Sequence, residues 1–423
     1  MPESSPLSIP ALRFFGSSRS ALFCILAGIL TLWHLHVINR AMPPNKADMV
    51  AVWKGVQAAF NHQNPYSDAT TRGIQVFYYG RPLGPADRVN PMAYAYPMHA
   101  IMLFAPIAAL PWNAVRLGFF VLLPILTAAS VVLWLRVLSI ELDRYRMATI
   151  TGFAICSFPV MWGVHQIQPT LVVAFLAAAV CFLLVRGRSA WSGAVLAMAT
   201  IKPQLIGGLA LWIALWALRR RLWSFFLGFG AALTLLLLPC FAMLPDWVPR
   251  WRTAMAEYTV YRHLRLELGA IFGHSVGLVL AATAVAAASW TGWENRGVEA
   301  SSPRFGEVCA LVLATTVCVL PTEFAMTYNY VFLIPGCLLL MKTRRSGGPS
   351  ELFRAAGVAC IWWTFLSVAI SFVGESLIRP SAFWDELPFV TFFLPVCVLA
   401  ALLVPRWYTK NSEGLAFSAS GAR

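Results

Sequence analysis

The chain has 423 residues, of which 59% are hydrophobic and only 12% charged, with a mean hydropathy of +0.68 and a net charge of +14. Length alone would suggest two or three soluble domains, but a water-exposed surface of that size needs more charge than this sequence holds, so the solvent is lipid. The excess Lys and Arg falls in short clusters between apolar runs, as in cytoplasmic-side loops, and not on one face as nucleic-acid binding would need.

Backbone polar groups in hydrocarbon must be satisfied within a helix, so runs of about 20 apolar residues mark spans. Residues 20 to 38, 113 to 135, 222 to 244, 354 to 373 and 387 to 404 qualify singly, and tracts at 147 to 185, 190 to 218 and 305 to 341 hold more than one helix each. The predicted architecture is one all-α polytopic membrane domain over 1 to 423 with roughly ten to twelve transmembrane helices. A large first external loop at 40 to 95 carries surface helices, and a second external loop occupies 245 to 270. The nine cysteines all lie in apolar stretches without a C-x-x-C pair or a His at ligand spacing, so they read as packing residues, and no metal site is expected.

Arg13 and Arg19 precede a run of full span length with no small-residue cleavage site, which predicts an uncleaved first helix leaving the cytoplasm. Asp48 then opens a segment to Phe60 with apolar residues at helical spacing, as in a helix lying on the membrane surface. Its carboxylate has two readings, a first-turn helix cap or a chemical group. Asn64-Pro65-Tyr66 forms a turn, and Asp68 and Asp87 sit in irregular stretches of the same loop. Tyr94 and Tyr96 lead through Pro97 into the next span, where interfacial anchoring is their default role. Residues 96 to 138 resemble two spans broken at Pro111-Trp112-Asn113. Two crossings would leave Arg136 outside, so either one half is re-entrant or that cluster breaks the charge rule.

The next basic clusters, at Arg144 with Arg146, Arg186 with Arg188, Arg219 to Arg221, Arg296 with Arg304, and Lys342 with Arg344 and Arg345, all prefer the cytoplasm. The chain must therefore go out and return between them. A straight helix over 190 to 218 would put Arg188 and Arg219 on opposite sides, so a break at Lys202-Pro203 is predicted. The same reasoning makes hairpins of 147 to 185, with its tip at His165-Gln166-Ile167-Gln168-Pro169, and of 305 to 341, with its tip at Pro321-Thr322-Glu323. These tips, the two external loops and a further segment at 374 to 386 gather polar chemistry on the outer surface.

An ammonium in an apolar tract costs roughly 2.5 to 3.5 kcal/mol. Lys202 therefore either snorkels or faces a polar cavity with an anionic partner, and its distance from both ends of the tract favours the cavity. His165, Gln166 and Gln168 either satisfy one another or hydrogen-bond a phosphate or sugar hydroxyl. The 245 to 270 loop interleaves Arg250, Arg252, Arg262, His263 and Arg265 with Trp247, Trp251, Tyr258 and Tyr261. That composition suits an interfacial helix on anionic headgroups or a lipid-linked phosphate. The sequence has no phosphate-binding glycine loop, no dinucleotide fingerprint and no D-x-D pair, so any donor is membrane-borne.

In order and spacing these motifs resemble glycosyltransferase family 87, a polyprenyl-phosphate-dependent family with the C-type (GT-C) membrane fold that includes mannosyltransferases. Asp48 and Asn64-Pro65-Tyr66 match its Asp after the first helix and its Gly-x-Asn-Pro-Tyr-like turn, with His62-Gln63 where Gly is usual. Tyr96-Pro97-Met98 with Leu110-Pro111 corresponds to a Tyr-Pro-Pro segment closed by Leu-Pro. Gln168 corresponds to the Gln of a Gly-Gln-x-Asn tip, and Ser192-Gly193 through Lys202-Pro203 to an Ala-Gly, apolar run and Lys-Pro, followed by the basic cluster at Arg219 to Arg221. Two places depart from the pattern. Tyr328-Asn329-Tyr330, between Pro321 and Pro335, replaces a segment that often carries His, and Phe272 to Ser275 replaces an Asn-Gln-Ser-like motif.

The resemblance implies transfer of a hexose, with mannose as the expected sugar, from a polyprenyl phosphate to a lipid or glycan acceptor at the outer face of the cytoplasmic membrane. It implies Asp48 as general base, with Asp68 and Asp87 in reserve, and an inverting reaction with no cofactor beyond the lipid-linked donor. Lys202 would face the leaving phosphate, Gln168 and His165 would donate to phosphate or sugar oxygens, and Arg250 or Arg252 would hold the lipid phosphate on arrival. Asn64, Tyr66 and Tyr96 complete the expected substrate-binding set. The competing classes are a transporter or flippase of a lipid-linked or anionic substrate, and a polymerase or ligase of surface glycans. Transporters show internal repeats and midplane breaks, whereas this sequence shows no repeat and its breaks gather at one face.

Overall fold

The computed structural model describes residues 45–342 apart from 85, 88, 263, 264 and 323, together with 394–403 and the isolated positions 25, 29, 355, 358 and 359. Apart from those isolated positions, the predicted spans at 20 to 38 and 354 to 373 lie outside the described residues, as do Arg13, Arg19, the segment at 374 to 386, the start of the span at 387 to 404, His263 and Glu323.

Two helices occupy the first loop, α1 (Met49–Phe60) and α2 (Asp68–Tyr79). The bundle then runs through α3 (His99–Leu103), a short 3-10 turn at Ala105–Ile107, α4 (Trp112–Val137), α5 (Arg144–Ile155), α6 (Phe158–His165), α7 (Pro169–Val185), α8 (Ser189–Ala199), α9 (Pro203–Arg219) and α10 (Trp223–Met243). After it come α11 (Trp247–Arg262), α12 (Glu267–Phe272), α13 (His274–Glu294), α14 (Pro303–Val319), a 3-10 helix at Phe324–Leu333, α15 (Ile334–Lys342) and α16 (Leu394–Leu403). A two-residue antiparallel ladder joins β1 (Arg265–Leu266) to β2 (Pro321–Thr322), tying the loop after α11 to the end of α14.

This is an all-α membrane protein. Among the described residues α4, α10 and α13 are long and apolar enough to cross a bilayer, and α5 with α6 adds a fourth span if that pair, bent by 57°, is counted as one. α13 is absent from the spans read in the sequence. It is rich in Ala and broken up by Ser, Thr and Gly, so its apolar signal is diluted although its length of 21 residues suffices.

The ambiguity over 96 to 138 resolves into one crossing. The first half is only a five-residue helix and a 3-10 turn, and a single 26-residue helix, about 39 Å long, follows from Trp112. Arg136 thus stands at the opposite end of α4 from Pro111, in keeping with the charge rule. The surface reading of 48 to 60 needs correction. Met49, Val50, Val52 and Val56 are all fully buried, and Ala51, Trp53, Gly55, Ala58 and Ala59 are buried too, so α1 is enclosed by protein and not laid on lipid. Gly55 lets it approach: a Cβ there would sit 2.4 Å from the Tyr94 ring.

Without a hydrophobic drive between helices in lipid, close packing through small residues holds the bundle. The tightest example is α8 against α10. A Cβ on Gly193 would fall 2.0 Å from the Phe225 carbonyl oxygen, and one on Gly228 2.0 Å from the Ala190 carbonyl oxygen. Gly193→Ala is expected to destabilise the protein by about 1 to 3 kcal/mol, read as a lower Tm in detergent. Gly207→Ala, where an added Cβ meets nothing within 4 Å, should leave Tm unchanged or slightly raised.

Candidate functional site

Two X-Pro steps build the centre of the site. Proline is favoured at the first position of a helix and pushes the residue before it out of helical geometry. Pro169 and Pro203 open α7 and α9, so Gln168 (φ −78°, ψ 124°) and Lys202 (φ −126°, ψ 75°) stand just outside the two helix N-termini. The positive ends of both helix dipoles lie beside these side chains, which favours an anion there. Ile167, with φ 49°, precedes Gln168, a strained conformation for a β-branched residue.

Lys202 is 8% exposed. Its Nζ donates to the Gln168 Oε1 at 3.0 Å and to the Thr170 Oγ1 at 2.7 Å, and lies 5.5 Å from the ring centres of both Tyr96 and Tyr328. It is therefore buried among polar groups and aromatic faces, the second of the two readings the sequence allowed. The Gln168 Nε2 in turn donates to the Asp48 carboxylate. Gln168 so stands between carboxylate and ammonium, its amide fixed in orientation by both.

Asp48 is the residue before α1, but its backbone is helical and its side chain makes no cap hydrogen bond in the described structure. Thr170 carries the network onward, donating to the Asn329 Oδ1 at 3.5 Å.

These groups line a cavity of about 490 Å³, within the range of small-molecule sites. Its polar wall holds Asp48, Tyr96, Gln168, Lys202, Tyr328 and Asn329, and Trp251, Met255 and Tyr258 of α11 form a side of two aromatic rings and a thioether. Among the described residues Asp48 is the one carboxylate on this wall. The Trp251 Nε1 donates to the Ala95 carbonyl at 3.1 Å, pinning α11 beside the Tyr96-Pro97 turn.

Other residues singled out in the sequence lie off the cavity. The Asn64 Oδ1 accepts from the Tyr66 amide at 2.9 Å, and the Tyr66 hydroxyl donates to the Tyr96 carbonyl at 2.8 Å, so this turn buttresses the wall from behind. His165 stacks on Trp162, ring centres 5.5 Å apart, and does not line the cavity. Arg250 pairs with Asp246 one helical turn back at 2.6 Å, and Arg252 is exposed on the same helix. Neither reaches the cavity wall, because the face of α11 turned inward is the one bearing Trp251, Met255 and Tyr258. Of the reserve carboxylates, Asp68 sits exposed in the first turn of α2. Asp87 is gripped by Arg81 through two bonds, at 2.7 and 2.8 Å, which hold its carboxyl well below the usual carboxylate range.

Thr170, Met255 and Asn329 line or brace the cavity without having been singled out as binding residues. Trp251, Met255 and Tyr258 are spaced i, i+4, i+7, a helical stripe the sequence did display. Asn329 reaches Thr170 across 159 residues, and no local pattern signals that.

Chemically, the arrangement offers a carboxylate able to take a proton and, one amide group away, a buried cation able to receive negative charge. The family model for glycosyltransferase family 87 matches residues 94–321, slightly more than half the chain, and so takes in Tyr96, Gln168, Lys202 and α11 but begins beyond Asp48. Neither a curated protein nor a solved structure is similar enough to match.

Proposed function

The chain belongs to glycosyltransferase family 87, and from that premise we propose that it is a GT-C-type enzyme transferring a hexose, mannose in the first instance, from a polyprenyl phosphate to a lipid or glycan acceptor. The reaction runs at the outer face of the cytoplasmic membrane, where the positive-inside pattern puts the tips bearing Gln168 and Lys202. The observation that carries this reading is the Asp48, Gln168 and Lys202 chain on one cavity wall.

Each group has a task. The acceptor hydroxyl loses its proton to the Asp48 carboxylate as its oxygen attacks the anomeric carbon. The bond from that carbon to the phosphate oxygen breaks, and its electron pair stays with the phosphate. Polyprenyl phosphate leaves with one more negative charge, received by Lys202 and the N-termini of α7 and α9. The Tyr96 and Tyr328 rings lie close to the Lys202 ammonium, and Gln168 bonds both the Asp48 carboxylate and that ammonium, orienting the two groups on one wall. Attack from the Asp48 side, opposite the departing phosphate, inverts the anomeric centre.

Purified protein in proteoliposomes, given radiolabelled polyprenyl phosphate mannose or a nucleotide-activated mannose with membrane lipid extract as acceptor, should consume the first and leave the second untouched. Use of the nucleotide sugar, or failure to use any polyprenyl phosphate hexose, would overturn the reading.

A further inference from the structure

His99 is the first residue of α3 and only 6% exposed, and the chemistry above makes no use of it. Its Nε2 lies 3.1 Å from the Thr200 Oγ1, across 101 residues of chain. Thr200 settles which atom donates. A hydroxyl has a single proton, and the Ala197 carbonyl takes it at 2.6 Å. The ring Nε2 must therefore carry its own proton and donate it to the Thr200 oxygen. The ring Nδ1 is buried and meets no partner in the protein, so a second proton there would find no acceptor and the ring stays neutral.

Neither residue lines the cavity, but the two chain segments that they join do. His99 follows Tyr96 by three residues, and Thr200 precedes Lys202 by two. Tyr96 and Lys202 meet at the cavity wall, the ammonium 5.5 Å from the ring centre. The Tyr96 segment is held at two further points, by the Tyr66 hydroxyl on the Tyr96 carbonyl and by the Trp251 Nε1 on the Ala95 carbonyl. Of these three bonds, the one from His99 is the one that reaches the segment bearing Lys202.

The break before Lys202 has little support of its own. α8 ends at Ala199, and Lys202 stands outside regular geometry at φ −126°, ψ 75°. The Thr200 amide reaches the Ala197 carbonyl at 3.3 Å and the Lys202 amide the Ala199 carbonyl at 3.4 Å, both beyond the usual range of about 2.7 to 3.2 Å. The side-chain bonds through Thr200 are shorter. A buried ring with one nitrogen unpartnered also costs the fold something that an apolar residue would not. Such a cost is expected where placement matters more than stability.

We propose that His99 is a positioning residue for the Lys202 ammonium, acting through Thr200. As a neutral Nε2 donor it fixes the end of α8, and with it the point from which the Lys202 side chain enters the cavity beside Tyr96 and Gln168. The proposal rests on the reading of Lys202 as the cation that receives the leaving phosphate, and it adds what aims that cation.

The test uses the full chain in nanodiscs and reads position and kinetics separately. The chain has five lysines, so with isotope-labelled lysine nitrogen the Lys202 ammonium resonance is assigned as the one lost in Lys202→Met. His99→Leu removes the donor and should shift or broaden that resonance. His99→Gln, whose amide can donate from near the place of the ring Nε2, should restore it. In kinetics His99→Leu should lower kcat/KM for a polyprenyl phosphate hexose by about 10², the scale of a small misplacement of a reacting group, with Tm unchanged or raised. His99→Gln should recover most of that loss. Thr200→Val should copy His99→Leu, and the double variant should be no worse than either single one, because both break the same link. The proposal is overturned by a Lys202 resonance unmoved in His99→Leu, by wild-type kcat/KM in that variant, or by losses that multiply in the double variant. A loss of activity that tracks Tm and is not rescued by Gln would likewise make His99 a packing residue and overturn it. If wild-type protein transfers no hexose, yet the Lys202 resonance moves in His99→Leu and returns in His99→Gln, the positioning role stands and the donor reading falls.

Discussion

Asp48→Asn is expected to reduce kcat by about 10² to 10⁴, the contribution of a positioned general base, with little change in Tm. The amide keeps the shape of the carboxylate, and its oxygen can still accept the hydrogen bond from the Gln168 Nε2. It cannot take a proton from the acceptor hydroxyl. KM for the donor should change little, since the phosphate site proposed above is at Lys202, at the other end of the amide bridge. Steady-state kinetics with labelled donor, set beside thermal unfolding of the same preparation, separate the two possibilities. Wild-type turnover would remove Asp48 from proton transfer, and a fall in activity matched by a large fall in Tm would mark it as structural.

What the sequence made legible follows from local rules. Pro169 and Pro203 announce helix starts, so the breaks before them and the placing of Gln168 and Lys202 at those breaks can be read without a structure. The cost of a buried ammonium makes Lys202 a site candidate on its own. The Asn64-Pro65-Tyr66 turn is equally local, since the Asn64 side chain bonds a backbone amide two residues on.

What stayed hidden was contact at long range and the direction in which side chains point. Asp48 looked like a cap because caps are common, and only the partner 120 residues away shows where its carboxylate goes. The arginines near 250 looked like phosphate ligands by composition, yet Arg250 is held by Asp246 and the inward face of α11 is apolar and aromatic. The burial of α1 was missed for a related reason. An amphipathic stretch of Val and Ala beside a membrane reads as a surface helix, and its enclosure depends on Tyr94 and the start of α4 folding over it: Trp53 meets the Trp112 ring at 5.5 Å and donates to the Leu110 carbonyl.

Lys202→Met separates chemistry from stability. Holding an ammonium in a low-dielectric interior carries a desolvation cost that its partners only partly offset, and an apolar side chain of similar length can be as stable or more so. Tm is therefore expected to hold or rise, with the Gln168 and Thr170 oxygens left facing the cavity and its water. Activity should move the other way. Without a fixed cation the leaving phosphate must gain charge unaided, and loss of one such electrostatic group costs about 10² to 10³ in kcat, or roughly 2.7 to 4 kcal/mol. Because the donor already carries a negative phosphate, KM should rise as well, unlike the Asp48→Asn case. Lys202→Arg should not restore the rate, since the longer, planar guanidinium cannot reproduce the compact ammonium's bonds to the Gln168 Oε1 at 3.0 Å and the Thr170 Oγ1 at 2.7 Å. A variant that loses stability and activity in proportion would make Lys202 a structural anchor, whereas a stable, folded and inactive Lys202→Met protein assigns it to the phosphate.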